Sequence, residues 1–392
     1  MGHDCSMVKR LVAIGFIFAC TSAAWMILGS TVYIRTNSTD DRLRGRVQSV
    51  WGTPQVQSAP RAEFVGQVLS PSASDINVDL QLEHRRKGLL WYSTYKVGFL
   101  GDYEFRNPLA VAQTMRLTLE LPAAQAVYDD LQFAVNGEAV APVTAKDRAY
   151  VDVDVAAGQA AKLHVGYRSQ GLDSWRYKFG NDISAVSNFH LRMATNFKDI
   201  DFPDNTLAPL EKSEKPTGWQ LDWTYKNLLS GYEIALAMPE KAQPGPLASQ
   251  ISFFAPVSLF FFFFLIYIIT TMQGRELHPM NYFFLACAFF AFHLLLAYLA
   301  DHVDIFVSFG IAAAVSVFLV VSYLRIVAGP RFAIREAALT QFVYLILFSA
   351  AFFFRGFTGL TITIGSILTL FIVMQLTARV SWSERFASSL VR

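Results

Sequence analysis

Leu259-Phe260-Phe261-Phe262-Phe263-Phe264-Leu265 is the run from which the fold of this chain is read. In water such a run invites aggregation, whereas a lipid bilayer solvates it on every side. It lies inside a dense apolar block over residues 251–376, and a second apolar stretch, 11–34, stands near the start with a long polar region between them. A spanning helix needs about 20 apolar residues at a rise of about 1.5 Å each. Six windows meet or nearly meet that length: 11–34, 251–272, 282–300, 305–323, 337–354 and 360–376. The layout is that of a membrane anchor, a large domain on the far side of a bilayer, and a multi-helix bundle.

With the N-terminus inside, Lys9, Arg10, Arg275, Arg325, Arg331, Arg335, Arg379, Arg385 and Arg392 fall on the cytoplasmic side. Arg355 is then the only Lys or Arg in the short outer loops. The excess of basic residues in cytoplasmic loops selects this orientation, and large translocated domains largely escape the rule. The expected boundaries are a cytoplasmic N-terminus and first helix over 1–35, an external domain with its linkers over 36–250, five helices over 251–378, and a cytoplasmic tail over 379–392. Ile17-Phe18-Ala19-Cys20 also resembles a lipoprotein cleavage site. The apolar residues run on past Cys20 to Ile34, the length of an uncleaved anchor.

Apolar residues make up 53% of the 392, with 34 Phe, above the soluble average. A net charge of +2 argues against a nucleic-acid partner, because phosphate binding needs a concentrated basic surface. Cys5, Cys20 and Cys287 all lie outside the middle region, which must therefore be held by its core and not by disulfides.

Between about residues 66 and 238 the pattern is strict alternation, the period of half-buried strands. Met115, Leu117, Leu119 and Leu121 alternate with Arg116, Thr118 and Glu120. Leu131, Phe133 and Val135 lead into Asn136-Gly137, a hairpin turn pair that tolerates positive φ. Val151, Val153 and Val155 oppose Asp152 and Asp154, and Leu163, Val165 and Tyr167 resume after Ala157-Gly158. Phe189, Leu191 and Met193, then Trp219, Leu221, Trp223 and Tyr225, add two more strands. Many short antiparallel strands with turns between them predict a β-sandwich. The fold class expected is an α+β membrane protein, with an all-β sandwich-like domain inserted between an N-terminal transmembrane helix and a C-terminal bundle of five. Pro239 and Pro244-Gly245-Pro246 predict a short stiff linker before the bundle.

Several short motifs, taken in order, resemble the CreD family of inner-membrane proteins associated with cell-envelope integrity in Gram-negative bacteria. They are Val50-Trp51-Gly52-Thr53-Pro54-Gln55; Arg85-Arg86-Lys87-Gly88 with Trp91, Tyr92, Tyr95 and the run Phe99-Leu100-Gly101-Asp102-Tyr103; and Tyr167-Arg168-Ser169-Gln170-Gly171-Leu172-Asp173-Ser174-Trp175. Asp201-Phe202-Pro203, His278-Pro279-Met280-Asn281-Tyr282, Asp301-His302 and Thr377-Ala378-Arg379-Val380-Ser381-Trp382 continue the resemblance through the bundle. It implies a periplasmic middle domain and a role in envelope integrity or stress, with no catalytic residues to carry over.

Catalytic signatures are missing: there is no Cys-x-x-Cys, His-Glu-x-x-His, phosphate-cradling glycine loop or Gly-x-Ser-x-Gly elbow. Ser93-Thr94-Tyr95-Lys96 matches Ser-x-x-Lys, yet residues three apart on a strand point to opposite faces. Asp152 and Asp154 share a face suited to a hard cation, but a solvated strand face explains them as well. His164 and His190 occupy outward strand positions and read as surface residues. No catalytic residue, metal site or cofactor is expected.

In the bundle, Asp301, His302 and Asp304 cluster between two windows and read as a structural interfacial loop, with a proton- or substrate-linked role as the sharper alternative. His293 lies mid-helix and is expected to hydrogen-bond to a neighbouring helix, with a proton relay as the sharper alternative. Pro279 suits the first turn of a helix at His278. Trp91, Tyr92 and Trp175 are the expected ligand-binding residues of the β domain, with Trp175 expected to be exposed because Asp173 and Arg176 flank it. The expected function is non-enzymatic support of the envelope, the β domain binding an envelope lipid, glycan or protein and the helices contacting membrane lipids. A transporter or lipid-handling bundle is the alternative, and a membrane-bound hydrolase a third. The oligomeric state is not readable from the sequence.

Overall fold

The computed structural model describes residues 2–123, 126–180, 184–354, 356 and 358–378. Arg355 and the expected tail over 379–392 lie outside them. The chain divides into two compact units, one of Met1–Asp40 with Ala242–Arg392 and one of Asp41–Lys241.

Helix α1, Gly2–Trp51, contains the first expected span but continues well past Ile34. Charged residues such as Arg42, Arg44 and Arg46 are tolerated on a helix, and the first strong terminator is Gly52, which adopts φ +100. Five more helical stretches follow: α2 Pro244–Met272, α3 Pro279–Leu299, α4 Ile305–Val327, α5 Phe332–Phe353 and α6 Thr358–Gln375, the last continuing to Thr377. Six helices among the described residues are thus long and apolar enough to cross a membrane. The expected proline linker is shorter than predicted. Pro244 and Pro246 open α2 itself, because the first-turn N–H groups that proline lacks have no helical partner anyway. His278 caps α3, its ring nitrogen accepting from the Met280 N–H at 3.2 Å, and Asp304 caps α4 through the Phe306 N–H at 2.9 Å. At Gly29 the Phe253 ring lies 3.0 Å from where a Cβ would stand, and Ser249 donates to the Gly29 carbonyl at 2.9 Å. A small residue lets α1 and α2 approach closely, the usual packing device between helices in lipid.

In the second unit the strands are β1 Gln55–Ser58, β2 Arg61–Phe64, β3 Gln67–Leu69, β4 Ala73–Lys87, β5 Leu90–Arg106, β6 Gln113–Glu120, β7 Asp129–Val135 and β8 Glu138–Ala139. They continue as β9 Val143–Ala145, β10 Arg148–Val155, β11 Ala160–Leu172, β12 Ser174–Lys178, β13 Ser184–Thr195, β14 Glu211–Glu214, β15 Trp219–Ser230 and β16 Ile234–Ala237. An eight-stranded sheet has the order β14-β15-β13-β4-β5-β11-β7-β8, a five-stranded sheet β3-β2-β6-β10-β9, and a three-stranded sheet β1-β12-β16. All three contribute to one hydrophobic cluster, including Ile76, Val78, Phe99, Leu117, Leu163, Leu191 and Trp223. Asn136 and Gly137 both take positive φ at the β7–β8 turn, as the dipeptide predicts. Leu131 is the exception to its alternation, 38% exposed near the start of β7.

Candidate functional site

Several of the motifs singled out in the sequence meet one another in the β unit. Gly52 sits against β11: a Cβ there would lie 2.3 Å from the Gln170 carbonyl oxygen. Gln55, fully buried on β1, donates through Nε2 to Ser169 Oγ and to the Gln170 carbonyl, both at 2.8 Å. Gln57, also fully buried, accepts from the Tyr167 hydroxyl at 2.7 Å and donates to the Glu120 carbonyl at 3.1 Å. The Tyr95 hydroxyl donates to the Ser174 carbonyl at 2.7 Å. Burial pushes the hydroxyls of Tyr95, Tyr103, Tyr167 and Tyr177 well up from their ordinary range, so each stays neutral. This is a buried polar knot that joins β1, β5, β11 and β12. Its residues hold the fold together.

Trp175 belongs to that core, which corrects the expectation that it is exposed. It is 0% exposed, because β12 is the central strand of its sheet, flanked by β1 and β16, and its alternation turns Trp175 and Tyr177 inward while Arg176 faces out. Tyr92 is likewise buried, packed with Val47, Leu90 and Leu172. Trp91 is half-buried beneath Lys241, whose Nζ lies 3.7 Å from the ring centroid. The three expected ligand residues therefore do not form one accessible site.

The accessible polar surface lies instead on the outward face of the eight-stranded sheet. Three adjoining cavities of about 490, 470 and 700 Å³ run along it. Its floor is set by Gly98 on β5, which pairs across to Arg168 on β11 and leaves the space that a side chain would fill. Asn77 and Asp79 on β4, Gln132 on β7 and Arg192 on β13 form the walls of the central cavity. At one end the register aligns His190, Asp75, Asp102 and His164 in a row across four adjacent strands. His164 Nδ1 stands 2.7 Å from Asp102, and His190 lies between Asp75 at 3.3 Å and Asp222 at 3.4 Å. Like charges directly opposite each other on adjacent strands are unfavourable, and a histidine on the far side of each aspartate offsets that. No group of three or more metal-type side chains is placed to hold a metal among the described residues. Asp152 and Asp154 are engaged as well, by a forked Arg116 at 2.8 and 3.0 Å and by Thr114 at 2.6 Å. Sequence patterning had flagged only the two histidines here. The available signal was Gly98 inside a strand, since glycine there marks a gap or a close approach.

In the membrane unit, Asp301 is engaged by Arg35 of α1 at 2.9 Å, and the Arg35 guanidinium also lies over the Tyr298 ring. His302 is exposed beside it. His293 is buried, but its hydrogen bond is not to a neighbouring helix as expected: its Nδ1 reaches back one turn to within 2.9 Å of the Phe289 carbonyl of its own helix, and its ring meets Trp25 of α1 edge-on at 5.5 Å. An unforeseen element is Gln341, buried between two π-helical segments of α5, Phe332–Ala337 and Phe342–Leu347. It donates to Ser316 Oγ at 2.9 Å, which donates to the Ala288 carbonyl at 2.7 Å, and its own amide oxygen has no partner among the described residues.

A family model described as inner membrane protein CreD matches residues 51–383. No curated protein matches the chain. Among solved structures it is similar to a Legionella pneumophila protein named for nutrient binding, at 12% identity over 54% of this chain and 76% of that one, with a TM-score of 0.34. It is also similar to an M1 zinc metallopeptidase from Deinococcus radiodurans, at 13% identity over 43% of this chain and 42% of that one, with a TM-score of 0.26. Neither score is high enough to carry an argument about fold or activity.

Proposed function

The chain belongs to the CreD family of inner membrane proteins, and from that premise we propose that it supports cell-envelope integrity or the response to envelope stress without being an enzyme. It is a multi-pass membrane protein. In this reading both termini are cytoplasmic and the β unit is periplasmic, as the distribution of Lys and Arg favours. The β unit binds an envelope lipid, glycan or protein in the trough on its large sheet. The observation that carries the reading is that trough: side-chain amides, carboxylates and arginines around Gly98, on strands whose other face already builds the core. Such a surface suits a polar ligand, whose groups exchange hydrogen bonds with several side chains at once.

The test fills the trough. Gly98 has negative φ, and a Cβ there meets only the Asp79 Cβ at 3.8 Å, so Gly98→Tyr adds a ring without backbone strain. Full-length protein is extracted with its surrounding lipid and compared by native mass spectrometry with that variant. An envelope molecule retained by the parent and lost from the variant supports the reading. Identical spectra overturn it.

A second reading, lipid handling or transport by the bundle, is favoured by the π segments around Gln341, since π segments recur at functional sites and a polar group buried at membrane depth is costly to keep. If Gln341→Leu leaves envelope phenotypes intact while Gly98→Tyr removes them, the bundle reading fails.

A further inference from the structure

We propose that the end of the β unit where the chain enters and leaves it is a docking surface for the anionic phospholipid headgroups of a bilayer. Three features converge there. The tip of the long β4–β5 hairpin packs on the last turns of α1: a Cβ at Gly88 would stand 3.0 Å from Leu43, and Val47, Leu90, Tyr92 and Leu172 form a small cluster of their own. The exit of the chain is tied to the same hairpin, the Pro239 carbonyl accepting from Ser93 Oγ at 2.7 Å and lying 2.9 Å from His84 Nε2. Two tryptophans lie under cations at this end, Trp51 with Arg85 at 5.6 Å and Lys87 at 5.3 Å, and Trp91 with Lys241 at 3.7 Å.

Charge is segregated to the same place. Arg42, Arg44 and Arg46 on α1 join Arg85, Arg86 and Lys87 on the hairpin and Lys241 at the exit. Asp40, Asp41, Glu83, Asp173 and Glu240 are the acids beside them, leaving a surplus of two positive charges. Residues 41–241 as a whole carry two more carboxylates than cations, so the surplus is a matter of placement and not of composition. These cations are not free charges: Arg44 meets Asp173 at 2.9 Å, Arg85 meets Glu83 at 2.8 Å, and Arg86 donates to the Gly88 carbonyl at 3.1 Å. The exposed character of the patch therefore rests on its net charge and on its aromatic rings, whose apolar bodies and polar edges suit a membrane–water boundary. Chain connectivity supplies the occupant: α2 begins three positions after Lys241, and α1 is a single helix from its apolar span to Trp51. Clustered Lys and Arg beside a spanning helix attract anionic headgroups over roughly a Debye length, about 8–10 Å at physiological salt.

The test follows backbone hydrogen exchange of the 87–91 hairpin tip in the full-length protein, held in nanodiscs of phosphatidylcholine alone or of phosphatidylcholine with one part in three phosphatidylglycerol. Exchange is expected to slow several-fold with phosphatidylglycerol. Half-molar salt should remove the protection, and it should be absent when Arg85, Arg86 and Lys87 are replaced by Gln. Lys241→Gln alone, which leaves the hairpin sequence intact, should weaken it in part. Equal exchange in the two nanodiscs overturns the proposal. So does equal protection from inorganic phosphate added to phosphatidylcholine nanodiscs, which would make the patch a site for free anions. This surface adjoins the trough only where Glu83 meets Lys96, and Gly98→Tyr replaces neither residue and is expected to leave the protection of the hairpin tip unchanged, so either reading can fail alone.

Discussion

The two faces of the β unit's strands do opposite work with the same backbone. Inward positions such as Phe99, Leu163, Tyr167 and Leu191 are almost completely buried, with Phe99 stacked on Tyr167 at 5.0 Å. Outward positions one residue away are Gly98, His164, Arg168 and Arg192, lining open cavities. Because side chains alternate along a strand, a sheet can commit one face to stability and leave the other free for ligands. Substitutions on the two faces should therefore fail in different ways.

The largest effect is expected from Trp175→Ala. Removing a fully buried tryptophan should cost about 3–5 kcal/mol and lower the thermal midpoint of the β unit sharply. A small effect would mean that Trp175 faces solvent after all and would blur the distinction between the faces. Tyr167→Phe comes next: it leaves the buried Gln57 amide oxygen without its donor, at a cost of about 1–3 kcal/mol by thermal or denaturant unfolding. On the outward face, Gly98→Tyr should change stability by less than about 1 kcal/mol while abolishing ligand retention. A large loss of stability there would move that face into the core's account.

The smallest effect concerns pH. The forked Arg116 holds the Asp152 carboxyl below the usual carboxylate range, and Lys96 and then Arg85 do the same for Glu83. A carboxylate whose pKa is depressed on folding contributes stability above its unfolded value, and that contribution is lost as pH falls through the folded value. Below about pH 4 the parent should therefore lose stability slightly more steeply than Asp152→Asn, with little difference between them at neutral pH. These groups are solvent-exposed, so screening keeps the difference small. Parallel acid-unfolding curves would show that the outward ion pairs contribute nothing measurable.

The spans, the β unit and most of its strands were legible, because both signals are local. Twenty apolar residues in a row announce a bilayer, and Met115 to Leu121 or Leu163 to Tyr167 announce a strand by their period alone. The continuation of α1 to Trp51 was not legible, since the polar residues after Ile34 carry no apolar period and only Gly52 marks the stop. Trp175 was misread because its neighbours Asp173 and Arg176 are charged; being placed at the centre of a three-stranded sheet overrides that flanking polarity.

What the amino-acid sequence determined by itself is the class of molecule: six apolar helical stretches, an inserted β unit, and a set of short motifs that resemble one family. Those follow from hydrophobicity and periodicity, which act between residues close in the chain. Tertiary structure alone decided what each polar residue is for. Gln55 and Gln57 look like ordinary strand-surface residues until β1 lies beside β12 and turns them into the core, and His190, Asp75, Asp102 and His164 become one row only because β13, β4, β5 and β11 are neighbours in a single sheet. Strand order and register bring together residues far apart in the chain, and no local pattern encodes which strands will pair.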